Sequence, residues 1–158
     1  MDILALLVSV LLIEFLVIVS ANYIQTGQAI YRWYKEFGPV AVISDVTSVL
    51  IGVMIANFFF PKVNIITLGL LSIMVQLIHD SLFFLFVIKP LERGKNSIID
   101  LMKDYANENS FGILIADSLI MFSSVLLYSI LSKQSKDKLI FLLVSSLYSL
   151  TYIIYTNR

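Results

Sequence analysis

The chain has 158 residues, of which 59% are apolar, 13% aromatic and 14% charged, and its 11 basic side chains balance 11 acidic ones. Soluble domains run near 45–50% apolar and about 25% charged, so this composition, with a mean hydropathy of +0.92, describes a membrane protein. A zero net charge leaves no basic footprint for phosphate backbones, which argues against nucleic acid as a partner. The absence of cysteine excludes disulfides, thiolate metal sites and cysteine nucleophiles.

A helix needs about 20 mostly apolar residues to cross a hydrocarbon core of ~30 Å. Five segments meet that length: 3–24, 39–60, 63–88, 111–131 and 139–155. The first opens on Met1-Asp2, without positive charge, and its apolar run exceeds the roughly 7–15 residues of a signal core, so it reads as an uncleaved helix. The breaks fall at Gly38-Pro39, Pro61-Lys62, Lys89-Pro90 with Gly94, and 133–138, all turn-forming or charged. The tight link through Pro61, Lys62 and Val63 predicts an antiparallel hairpin of spans two and three. Sustained two-residue alternation is missing, which argues against barrel strands. The expected fold is all-α: one integral membrane domain over 1–158, a polytopic bundle of five transmembrane helices plus a short amphipathic helix.

That amphipathic helix is expected over 97–108. Ile98, Leu101, Met102 and Tyr105 follow helical spacing, Asp100, Lys103, Asp104 and Glu108 fall elsewhere, and Asn96 or Ser97 supplies a cap. Tyr31, Trp33 and Tyr34 precede span two, where amphipathic rings settle at headgroup depth. Both pieces read as interfacial anchors in preference to partner-binding surfaces. Arg32, Lys35, Lys89, Arg93, Lys95, Lys103 and Arg158 fall on one side of the membrane, and Lys62, Lys133, Lys136 and Lys138 on the other. The excess of positive charge predicts a cytoplasmic carboxyl terminus and an outside amino terminus.

The informative residues are the polar ones inside the spans: Glu14 in the first, Asp45 in the second, Gln76, His79 and Asp80 in the third, and Asp117 in the fourth. An acidic residue at a helix centre costs about 2.5–3.5 kcal/mol on insertion scales, so such groups must face one another, water or a bound cation. At 1.5 Å per residue, all four helices place them within roughly two helical turns of one level. Ser72, Gln76, His79 and Phe83 share a stripe, Asp45, Ser48 and Gly52 share a face, and Asp117 lines up with Met121, Ser124 and Tyr128. Asp45, His79, Asp80 and Asp117 form the candidate site, with Gln76 as orienter and Glu14 a weaker member because a first helix can lie at the periphery.

Carboxyls and an imidazole in low dielectric suit proton handling, with His79 as relay and the acids as acceptors. Oxygen ligands with one imidazole also suit a divalent cation such as Mg²⁺, Mn²⁺ or Zn²⁺, the candidate cofactor. The plainer alternative is a hydrogen-bonded network that fixes helix register. No Walker A, His-Glu-x-x-His, dinucleotide-binding or calcium-loop motif is present, and no Gly-x-Ser-x-Gly elbow.

The residues Trp33-Tyr34, Phe37-Gly38, Asp45, His79-Asp80, Gly94-x-Asn96, Asp100, Tyr105-Ala106 and Ala116-Asp117-Ser118 resemble those of uncharacterised small multi-pass membrane proteins of large double-stranded DNA viruses of algae and protists. The resemblance spans roughly 31–131. It implies a viral or host membrane location and carries no known activity. The leading expectation is a non-enzymatic membrane protein that binds or conducts a proton or small cation, with the bilayer and a homo-oligomeric partner as further contacts. The alternatives are a structural protein of a virion or host membrane, and a metal-dependent membrane enzyme acting on a lipid headgroup.

Overall fold

A computed structural model of the chain describes residues 1–23, 28–109 and 111–156. Among these residues the elements are α1 (Ile3–Tyr23), α2 (Gln28–Phe37), α3 (Pro39–Phe59), α4 (Ile65–Phe83) running on into a π-helical turn (Phe84–Ile88), α5 (Ser97–Asn109), α6 (Phe111–Leu131) and α7 (Lys136–Thr156). No strand occurs among the described residues, and five helices are long and apolar enough to cross a membrane: α1, α3, α4 with its π turn, α6 and α7. The expected all-α bundle with five candidate spans is thus what the chain forms.

The spans are arranged around α1. Helices α3, α4, α6 and α1 close a ring in that order, each packed on the next, while α7 docks against the outside of α1. The first helix is therefore central, not peripheral. Its buried residues Ala5, Leu6, Val8, Val10, Leu11, Glu14, Ile18 and Ala21 occupy every side of the cylinder, as expected of a helix without a polar face. The Asp2 backbone N–H donates to the Tyr128 hydroxyl at 3.2 Å, which sets the start of α1 beside the end of α6. Glycine lets the ring close tightly. A Cβ on Gly52 of α3 would stand 2.8 Å from Met121 Cε, and one on Gly69 of α4 would stand 2.6 Å from Phe122 Cδ2. Both sites are the close approaches that small residues permit between membrane helices.

Two boundaries differ from the sequence expectation for local reasons. Helix α4 starts at Ile65 because the Asn64 side chain accepts the Thr67 N–H at 2.9 Å, capping the helix and lengthening the link after α3. Helix α7 starts at Lys136, so a charged first turn extends it to 21 residues. The predicted end of the first span at Ile24 lies outside the described residues.

The short helices α2 and α5 pack on each other at one end of the bundle. Gly38, with φ +51°, adopts a backbone conformation open to glycine, and Pro39 then starts α3. The amphipathic helix expected over 97–108 is α5, started by Asn96, whose side chain accepts from the N–H groups of Ile98 and Ile99. The Glu108 carboxylate accepts the N–H groups of Gln28 and Ala29 at 2.8 and 2.9 Å, so α5 caps the open start of α2. Arg32 of α2 and Arg93 both donate to Asp104, at 3.1 and 2.8 Å. These exposed pairs contribute little energy singly, but together they set the register of the two helices. The outer faces of the spans carry Ile43, Phe58, Leu70, Met74, Ile115, Leu119 and Phe141, all exposed, a surface suited to acyl chains.

Candidate polar site

The site is built where α2 and the inner ends of α1, α3 and α6 meet. Asp45 lies two turns into α3. The Gly38-Pro39 corner brings α2 back against α3, so two aromatic residues reach the Asp45 carboxylate. Trp33 Nε1 donates to Oδ2 at 2.8 Å and the Tyr34 hydroxyl donates to the same oxygen at 3.1 Å. Both donors share one oxygen, which leaves Oδ1 of Asp45 for another partner.

Glu14 of α1 is that neighbour. Its side chain is 2% exposed and lies within interaction range of Tyr34 and Asp45. Its Oε1 is fully enclosed and has no hydrogen-bond partner among the described residues. Two carboxyl groups in contact cannot bond unless one of them holds a proton, because ionised carboxylates only accept. Asp117 of α6 stands within electrostatic range of Asp80 and Asp45. Glu14 in turn feels both Asp45 and Asp117.

The third span divides its polar residues between inside and outside. Gln76 is buried and its Nε2 bridges both Asp80 oxygens at 2.9 and 3.0 Å. His79 Nδ1 meets Asp80 Oδ1 at 3.0 Å, yet the imidazole side chain is 57% exposed and stacks on Phe83. So Glu14, Asp45 and Asp117 share the interior, Asp80 sits at its edge with Gln76, and His79 is turned away from the carboxyls of the other helices. Sequence spacing placed His79 on the inner stripe; the helix rotation instead turns Asp80 and Gln76 inward.

Three residues beyond those singled out from the sequence belong to the site. Trp33 and Tyr34, read as headgroup-level rings, are the donors to Asp45. Tyr105 of α5 stands within electrostatic range of Asp117, Asp45 and Glu108. Burial, reinforced by the charges of Glu14 and Asp45, pushes the Tyr34 phenol well above its ordinary value of 10.0. Burial pushes the Tyr105 phenol up too, with Asp117 adding to it. Both phenols therefore stay protonated at neutral pH, and Tyr34 acts as a donor to Asp45. At the rim the charges are ordinary: the Arg93 and Arg32 guanidiniums hold Asp104 below the usual carboxylate range.

Space around the site is small. A cavity of about 10 Å³ lined by Asn22, Tyr31, Tyr34, Lys35 and Ile154 abuts the Tyr34 ring, room for one water molecule. On the far side, Met121 fills the gap against Gly52, with Gln76 Oε1 beside it. Among the described residues, no three His, Asp or Glu side chains gather to hold a metal ion. Among the described residues, the acids therefore lack the converging ligands that a divalent cation needs.

These features define a class: a multi-pass membrane helix bundle with a buried carboxyl cluster closed by aromatic hydrogen-bond donors. No family model, curated protein or solved structure matches the chain, so its function is argued from its own residues.

Proposed function

We propose that the protein is a proton-binding multi-pass membrane protein, in which Glu14 and Asp45 share one proton inside the bilayer and Asp117 is its next acceptor. The supporting observation is the enclosed Glu14 carboxyl, in contact with Asp45 and with one oxygen unpartnered. A shared proton removes one of two buried like charges, and it supplies the only bond two carboxyls can make. Tyr34 connects this pair to the water-sized cavity at the α2 end, which provides the route for exchange. In this reading the α2–α5 end faces the cytoplasm, as the distribution of Lys and Arg favours, and the membrane is viral or host, as the family resemblance implies. Passage of a metal cation is a weaker part of the reading, because the acids do not converge as ligands.

The test is infrared difference spectroscopy of the purified chain in lipid, titrated across neutral pH. A protonated-carboxyl C=O band that titrates, and that is lost or shifted in both Glu14→Gln and Asp45→Asn, supports the shared proton. A band untouched by either substitution, or no titrating band, refutes it. Dye-loaded liposomes under a pH gradient then separate binding from conduction, since a conductor dissipates the gradient and loses that activity in the same variants.

One observation favours a second reading, a structural membrane protein. Met121 and Gln76 fill the space beside Gly52, about two turns along α3 from Asp45. If the network serves only register, the paired replacement Glu14→Leu with Asp45→Leu keeps the fold, and no pH-dependent property is lost.

A further inference from the structure

The His79–Asp80 pair is the polar feature that the buried cluster does not use. Among the described residues, helix α4 packs chiefly on α3 and α6, and His79 lies toward its uncovered side, more than half exposed. The residue is nine positions before Ile88, the end of a helical run that starts at Ile65. That puts the imidazole about 13 Å from one end and about 21 Å from the other, well inside a hydrocarbon layer of ~30 Å. An ionisable group at that depth does not face acyl chains; it faces protein, water or a partner.

The geometry points to a second copy of this chain as the partner, docked along α4 with His79 and Asp80 at the centre of the contact. The pair is self-complementary. Asp80 Oδ1 and His79 Nδ1 lie 3.0 Å apart within one copy, and the rest of the imidazole is more than half exposed. Asp80 is itself 24% exposed, and beside Gln76 and His79 its carboxylate has capacity for one more donor. Two copies inserted in the same direction are related by a two-fold axis along the membrane normal, which brings residues of equal height together. Positions 79 and 80 differ by about 1.5 Å in height. Each imidazole then meets the carboxyl group of the other copy, and the two His79–Asp80 pairs close a ring. The apolar residues beside it suit such a contact: Val75 and Leu82 flank His79 at intervals of four and three along α4, the spacing of a left-handed helix seam, and Phe86 follows in the π turn. Leu82 and Phe86 are exposed.

The chain's lack of cysteine makes the test direct. Single cysteines are introduced at Leu82→Cys and Phe86→Cys, with Ile115→Cys and Leu119→Cys on the exposed face of α6 as controls. In dilute vesicles containing only this protein, mild oxidation should give crosslinked dimers from the α4 positions and little from the controls. Single-molecule photobleaching of labelled wild-type protein should show two-step traces, and His79→Ala or Asp80→Asn should lower dimer affinity by roughly three- to tenfold, the range of single polar contacts between membrane helices. One-step traces for the wild-type chain overturn the proposal, as does crosslinking at α6 equal to that at α4. A dimer unchanged by both polar substitutions overturns the role given to the pair. Photobleaching and crosslinking keep their force even if His79→Ala fails to fold, because neither alters the pair.

Discussion

The two interhelical glycines should respond in opposite ways to the same added methyl group. In Gly69→Ala the new Cβ would stand 2.6 Å from Cδ2 and 2.8 Å from Cε2 of Phe122. Carbon atoms pack at about 3.5–4.0 Å, so the ring or the α4–α6 contact must give way by about 1 Å. Overpacking of this kind costs about 1–3 kcal/mol, and the better helix propensity of alanine returns about 1 kcal/mol. The net loss is about 1 kcal/mol. In Gly52→Ala the clash is 2.8 Å with the terminal methyl of Met121, the end of a side chain with three rotatable bonds. It can swing aside for little, so the propensity gain leaves this variant near or slightly above wild type. The two alanine variants should therefore differ by about 1–2 kcal/mol, roughly a tenfold change in the unfolding equilibrium. Reversible unfolding in mixed detergent micelles measures this, read by the fluorescence of Trp33, the chain's single tryptophan. If Gly69→Ala equals or exceeds Gly52→Ala in stability, α4 and α6 do not meet as closely as described.

Two further outcomes follow from the α2–α5 end. Glu108→Ala frees the N–H groups of Gln28 and Ala29 and should cost about 1 kcal/mol of local stability; amide exchange should speed up in α2 and remain unchanged in α3. The Tyr34 phenol is raised in the folded chain, so its stabilising contribution is complete below pH 10.0, the ordinary value, and is lost as pH rises through the folded value. Alkaline titration should therefore loosen α2, seen as a change in Trp33 emission above about pH 10, and Tyr34→Phe should flatten that profile; an identical profile in the variant would exclude Tyr34 as its source.

Much of the architecture was legible because bilayer length and apolar composition set it residue by residue: the five spans, the Gly38-Pro39 corner and the amphipathic α5 all follow from the chain read in order. What sequence did not reveal is which helix stands in the middle. Helix α1 has no polar face, and its lone Glu14 reads equally as a peripheral residue or a central one; only its packing against α3, α6 and α7 settles the matter. A similar ambiguity hid the helix rotation at Gln76, His79 and Asp80. The three share one broad face at spacings of three and four, and packing left His79 at its outer edge and Asp80 at its inner one. Trp33 and Tyr34 were visible as aromatic residues at a span boundary, which is common enough in membrane proteins to mask a specific role. Their separation from Asp45, twelve and eleven residues across a glycine–proline corner, was the one available signal.

That corner has a mechanical consequence. Because α2 runs into α3 through one left-handed glycine, with no loop between them, the two behave as an angle bracket: one arm lies across the bundle end and the other stands within it. A bilayer that thins or curves and tips the outer arm has no slack segment in which to dissipate the motion. Any such shift of α2 against α3 would act on both donors to the Asp45 oxygen at once.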